Sequence, residues 1–345
     1  MRRFAMIHMA VLAATILTAG CVPTSTTPPE PKPQKIDTEA AIAHYVKAQG
    51  MTDTAALAEL ARALHADPTL SVAHAATGDI YRRQGNAELA RQAYEAACKA
   101  NPYYFKSHYN LGVMYQQLAS ETDDDTLFEK YLRRACEVYL RANALNSKDY
   151  DTCLNLSACY FQLGKYSQAE EYCQVAIAID DDRPQAWCNL AIIYDNQNKL
   201  MEAVAAYRQS LERDVNQPRL HMNLAASYLR QGWVRDAIGS FQSAAVQDPT
   251  LVDPHLHIGA CYYRLKEFDN AQAAYERAAK LAPKNAEAPR GLGIVFMAKY
   301  LADKNATEFR DKALDAWKRS LQLKPKQPDL VALIEKYMSE EETGD

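Results

Sequence analysis

The chain has 345 residues, 48% hydrophobic and 24% charged, with 39 Lys and Arg against 43 Asp and Glu for a formal net charge of −4. With no basic excess to neutralise phosphates, nucleic acid is excluded as the main partner. Only 12 glycines among many Ala, Leu and Tyr favour helix over sheet, and the length suits two ordinary domains or one long array.

Residues 1–20 read as a leader and not as part of the fold. Arg2 and Arg3 form a positive start, and residues 4–18 are an apolar run too short for a comfortable membrane span. The run ends in Leu17-Thr18-Ala19-Gly20-Cys21. Small residues before a cysteine resemble the lipobox of bacterial lipoproteins. That resemblance implies cleavage before Cys21, diacylation of its thiol and, with Val22 next instead of Asp, an outer-membrane destination. More than one acyl chain is needed for stable anchoring, since each buried CH₂ contributes roughly 0.8 kcal/mol. Residues 21–36 hold the modified cysteine and a Pro- and Thr-rich tether, VPTSTTPPEPKPQK, which cannot build a core. Extended at about 3.1 Å per residue, it reaches roughly 40 Å.

From residue 37 a pattern recurs with a spacing of 34 residues between most copies. Its clearest stretch, 186–214, reads as two amphipathic helices around a polar turn at 197–199. Neither helix covers its own apolar stripe, so the partner for each stripe is another copy. The signature is an aromatic, an Ala nine residues on, then a second aromatic four further: Tyr81/Ala90/Tyr94, Tyr194/Ala203/Tyr207, Tyr228/Ala237/Phe241 and Tyr262/Ala271/Tyr275. One copy departs: Tyr160 and Ala169 are followed by Cys173. Gly78, Gly112, Gly259 and Gly293, or small Ser157, Ala191 and Ala225, stand three residues before the first aromatic and give the two helices room to approach. Pro68, Pro102, Pro249, Pro283 and Pro325 punctuate the ends.

This pattern resembles the tetratricopeptide repeat. The resemblance implies an all-α superhelical solenoid of about eight helix-turn-helix repeats, at 37–70, 71–104, 105–149, 150–183, 184–217, 218–251, 252–285 and 286–327. The first copy is degenerate. The third and eighth carry insertions of 11 and 8 residues, which suit added helical turns in both helices, with tips near 120–128 and 303–309. A terminal segment at 328–345 begins as a capping helix, with Leu330, Leu333, Ile334 and Tyr337 on one face, and ends in an acidic tail.

Candidate binding residues lie on the first helices, which line the concave surface in this family. Asn110, Asn155, Asn189 and Asn223 fall at one place in consecutive copies, five residues before the first aromatic. An amide donates and accepts together, so it matches one peptide unit without reading its side chain. Around them run Tyr109, Ile192, Phe161, Leu229 and Tyr263, an apolar strip, with Lys106, Arg219, Arg230 and Arg264 at its rim. Such a surface suits an extended apolar or amphipathic segment. Lys106 and Arg219 stand too far apart along the array to converge on a terminal carboxylate.

His74, His108, His221 and His255 occupy the place of Trp187 and read as polar-tipped packing residues, not metal ligands. Beyond Cys21 seven cysteines remain, an odd number, with Cys153 and Cys173 the best disulfide candidate. No phosphate loop, nucleophile–base order or carboxylate pair appears, so neither enzymatic chemistry nor a cofactor is expected. The layout of lipobox, tether and tandem repeats resembles type IV pilus biogenesis lipoproteins that help an outer-membrane secretin assemble. This implies a periplasmic scaffold with an envelope protein or peptide as partner. Alternatives are an adaptor for cell-wall hydrolases or polysaccharide export, and, from another class, a thiol- or metal-handling protein.

Overall fold

A computed structural model describes residues 36–343. The leader, Cys21 and all of the tether before Ile36 lie outside them. Among the described residues, seventeen helices follow one another as eight antiparallel pairs and a last single helix. The pairs are α1 (Thr38–Ala48) with α2 (Asp53–Ala66), α3 (Ser71–Arg83) with α4 (Ala87–Ala100), α5 (Phe105–Ser120) with α6 (Asp125–Leu145), and α7 (Tyr150–Gln162) with α8 (Tyr166–Ile179). They continue as α9 (Pro184–Asn196) with α10 (Leu200–Arg213), α11 (Pro218–Arg230) with α12 (Val234–Gln247), α13 (Asp253–Arg264) with α14 (Phe268–Leu281), and α15 (Glu287–Ala302) with α16 (Thr307–Leu323). The last helix is α17 (Pro328–Thr343).

Local chemistry sets the ends. Asp37, Asn86, Asp124 and Asp149 cap α1, α4, α6 and α7 by accepting backbone N–H groups of the first turn. Proline opens α9, α11 and α17, where its missing N–H is no loss. Five hairpins turn on one left-handed residue at the same place: Gly85, Gly164, Asn198, Gly232 and Lys266. Each lets the following N–H bond the carbonyl of the first-helix tyrosine five residues back, as Lys199 does to Tyr194 at 2.9 Å. The two inserted copies lengthen both helices, to 16 and 21 residues in α5 and α6 and to 16 and 17 in α15 and α16, against 13 and 14 in α9 and α10.

Packing is between sequence neighbours, which makes the array quasi-one-dimensional. The second-helix aromatics carry the core: Tyr94, Tyr139, Tyr207, Phe241 and Trp317 are all buried. The small first-helix residue makes room for that ring. A Cβ on Gly112 would lie 2.5 Å from the Tyr139 ring, and one on Gly78 2.7 Å from Tyr94. Ser157 holds the same place in the fourth copy and donates its hydroxyl to the Ala169 carbonyl at 2.7 Å.

The cap differs from expectation in one residue. Leu330, Ile334 and Tyr337 are buried, but Leu333 is 38% exposed. A stripe at i, i+4 and i+7 faces α16, and Leu333 stands on the side turned away from it.

At the other end the degenerate first copy is held by charge. Glu59 is buried and accepts from Lys47 Nζ at 2.8 Å and Arg62 Nη1 at 2.5 Å, and it pairs with His44 Nδ1 at 2.7 Å. Hydrogen bonds from Lys47 and His44 hold its carboxyl down at about 2. An unfolded Glu titrates near ~4.3, so this contribution is fully present above that pH and is lost as pH falls through about 2. Amide exchange in α1 and α2 should therefore accelerate between pH ~4.5 and 2 more than in α9 and α10. In Glu59→Gln that extra acceleration should vanish. An equal pH response in the variant removes Glu59 as its source.

Candidate peptide groove

First helices of neighbouring copies touch, α7 with α9 and α13 with α15, while second helices of neighbouring copies do not approach as closely. The first helices therefore lie on the inner side of the stack, the side that carries the four asparagines. Their amides are not equivalent. Asn110 is buried and donates to Asp79 Oδ1 at 3.2 Å. Asp79 also accepts from Tyr94 at 2.6 Å and from Lys106 at 3.3 Å, so Asn110 and Lys106 are both committed internally. Asn155 donates to the Tyr109 hydroxyl at 3.5 Å, the limit of a hydrogen bond. Tyr109 is itself fixed edge-on to Tyr139, ring centroids 6.0 Å apart. Asn189 is half-buried and Asn223 exposed, and neither amide has a hydrogen-bond partner among the described residues.

Asn189 opens onto a concave apolar socket of about 160 Å³, lined by Ser157, Ala158, Phe161, Gln162, Asn189, Ile192 and Ile193. Three sequence-derived candidates, Phe161, Asn189 and Ile192, thus converge on one feature. Leu229 is half-buried against the same core cluster, and Tyr263 stands 38% exposed beside Phe268. These two lie one and two copies further along and do not reach the socket. Arg230 reaches back to the preceding copy, donating to Asn198 Oδ1 at 2.9 Å and to Asp195 Oδ1 at 3.3 Å. Arg264, at the matching place, has no ion pair among the described residues; its register places Leu229 where Arg230 finds Asp195.

Asp195 is the groove residue that sequence reasoning passed over. It accepts from Tyr207 Oη at 2.8 Å, from the Ser227 hydroxyl and from Arg230. Burial and the adjacent carboxylate push the Tyr207 phenol well above its usual range, so it stays protonated and donates. The available signal was position: Asp195 stands six residues after Asn189, where other copies have Phe161, Leu229 and Tyr263.

The histidine place is structural where it can be followed. His74 Nε2 pairs with the Pro68 carbonyl at 2.9 Å, His108 Nε2 with Pro102 at 3.0 Å, and Trp187 Nε1 donates to Asp181 at 3.0 Å. Each ring ties its helix to the carbonyl six residues earlier. The Cys153–Cys173 disulfide is not formed; all seven described cysteines are free thiols. Cys173 donates to the Ala186 carbonyl at 3.0 Å and Cys153 to Asn143 Oδ1 at 3.5 Å, so the two thiols face different neighbours. Burial pushes Cys173 up to about 12, which keeps it neutral and unreactive.

Two family models match the chain: the Cilia and flagella-associated protein 70 C-terminal domain over residues 14–291, and the tetratricopeptide repeat over 262–328. No curated protein matches it significantly. Among solved structures, a tetratricopeptide repeat protein from Parabacteroides merdae ATCC 43184 is 16% identical, with a TM-score of 0.50 over 78% of this chain and 98% of that one. PilF from Pseudomonas aeruginosa is 20% identical, with a TM-score of 0.49 over 64% of this chain and 96% of that one. YrrB, described as a TPR protein with an unusual peptide-binding site, is 17% identical, with a TM-score of 0.49 over 57% and 98%. At such identities the likeness is one of fold.

Proposed function

The chain belongs to the tetratricopeptide-repeat family matched by the Cilia and flagella-associated protein 70 C-terminal domain, and from that premise we propose that it is a non-enzymatic scaffold that holds an extended segment of an envelope protein. Tetratricopeptide domains bind protein or peptide partners, and the observation that carries the reading here is the unpaired amide of Asn189 at the mouth of an apolar socket. A peptide laid along the first helices finds a donor and acceptor for its backbone at Asn189, again at Asn223, and at Asn155 by displacing the long bond to Tyr109. The socket takes one apolar side chain. A stacked array is rigid before binding, which limits the entropy lost on association.

The membrane anchor is the lipidated Cys21, and residues 22–35 give the groove its reach from the periplasmic face of the outer membrane. The partner we favour is a secretin subunit of a type IV pilus system, a reading supported by the layout of lipobox, Pro-rich tether and tandem repeats. Crosslinking in intact membranes, followed by identification of the captured protein, tests it. Wild type should capture the secretin. Asn155→Ala, Asn189→Ala and Asn223→Ala combined should reduce capture about tenfold or more with unchanged helicity, each lost amide pair contributing ~0.5–1.5 kcal/mol. Capture at the wild-type level would remove the asparagines from the site. Capture of a wall hydrolase or an export protein in place of a secretin would reassign the system while keeping the groove.

A further inference from the structure

The socket lies beside a copy whose second helix lacks its ring. In six other copies the last signature place holds Tyr94, Tyr139, Tyr207, Phe241, Tyr275 or Trp317, and the ring lies over the small first-helix residue of its own copy. Added Cβ atoms show this directly at Gly78, Gly112 and Gly259. The same ring also meets the asparagine place of the next copy. A Cβ on Gly291 would collide with Tyr275, and His257 stacks on Phe241 with ring centroids 5.0 Å apart. A ring is thus bracketed between two defined places. In the fourth copy those places are Ser157 and Asn189, both lining the socket, and the residue that should supply the ring is Cys173.

We propose that the socket is a binding site for a phenyl side chain, a phenylalanine presented by the bound segment, which enters from the groove and takes the ring place left open by Cys173. This rests on the groove reading above. Its volume, about 160 Å³, matches the roughly 150 Å³ of an apolar cavity that admits benzene. Phe161, Ile192 and Ile193 supply apolar walls. A phenyl fits better than a phenol because the deep polar groups are already engaged: Ser157 donates to Ala169 and Cys173 to Ala186. At three of the four tyrosine copies an acceptor waits for the hydroxyl, as Asp79, Gln116 and Asp195 do for Tyr94, Tyr139 and Tyr207. Phe161 holds the place of Gln116 and Asp195 here and accepts nothing. The phenylalanine amide meanwhile sits beside Asn189 at the rim.

The test titrates the full chain with N-acetylphenylalaninamide while following the Ile192 methyl resonance. A saturable shift is expected, with a Kd on the order of 10 mM. N-acetylleucinamide and N-acetyltyrosinamide should bind at least fivefold more weakly. Cys173→Phe rebuilds the ring from within and should abolish the shift while leaving Tm equal or higher. If that variant instead loses Tm, Ala158→Leu decides, because it narrows the mouth from the half-buried groove side. No saturable Ile192 shift in wild type, equal binding of the leucine analogue, or a shift that survives closure of the socket overturns the proposal. Because the probe needs no natural partner, failed membrane capture leaves this result standing. Retained capture by a closed-socket variant removes the phenyl site and spares the groove.

Discussion

Replacing Gly293 with alanine should destabilise the last two copies by about 1–2 kcal/mol, whereas Gly239→Ala should stabilise by up to about 1 kcal/mol. Both glycines are helical, so the propensity term favours alanine at each by ~0.5–1 kcal/mol. What separates them is space. A Cβ on Gly239 meets nothing within 4 Å, while one on Gly293 falls inside contact distance of Trp317 Cδ1 and Nε1. Trp317 is 2% exposed and its indole donates to the Arg290 carbonyl at 3.3 Å, so the ring cannot move aside without losing both packing and that bond. Overpacking a fixed ring costs ~1–3 kcal/mol. Urea unfolding followed at the Trp317 indole resonance reads the affected copies directly, which matters because a long array does not unfold as one unit. An Ala variant with an unchanged or raised midpoint at Trp317 would show that the glycine is not a ring cradle.

That cradle also marks how far the sequence could be read. Period, helix pairs, the turn at 197–199 and the tips of the two inserted copies were legible, because apolar spacing and polar turn residues are local properties. The small residue before each first aromatic was correctly read as a site of close approach. Its partner was only half legible: in the structure the ring of the second helix occupies the space, a contact that depends on the angle between helices and not on spacing. Leu333 was misplaced for a related reason, since periodicity defines a stripe but not its edge.

The groove was legible by place and not by state. The four asparagines share a register, yet Asn110 is tied to Asp79 and Asn155 loosely to Tyr109, because the side chains opposite differ from copy to copy. Cys173 was visible as a departure from the repeat. Its consequence was not, since a missing ring becomes a socket only if neighbouring helices keep the spacing that other copies use to hold one. The stack enforces that spacing on the fourth copy from both sides.

Ending the chain at Gln327 should unravel the eighth copy and promote self-association while leaving the middle of the array intact. Leu330, Ile334 and Tyr337 are buried to within 8% of full exclusion, against a cluster that includes Met297, Leu314 and Trp317. At ~1.5–3 kcal/mol for each large apolar side chain, removing α17 withdraws about 5 kcal/mol or more of burial from α16 and uncovers a continuous apolar surface. A hairpin stack passes stability only to its neighbours, so amide exchange in α15 and α16 should approach the unprotected rate while α9 to α12 keep theirs. Single substitutions locate the effect. Leu330→Ala should cost ~2–5 kcal/mol, and Leu333→Ser, on the exposed side of the same helix, less than ~0.5 kcal/mol. Full protection of α16 in the truncated chain, or equal losses from Leu330 and Leu333, would mean that α17 is an appendage and that the eighth copy closes the array by itself.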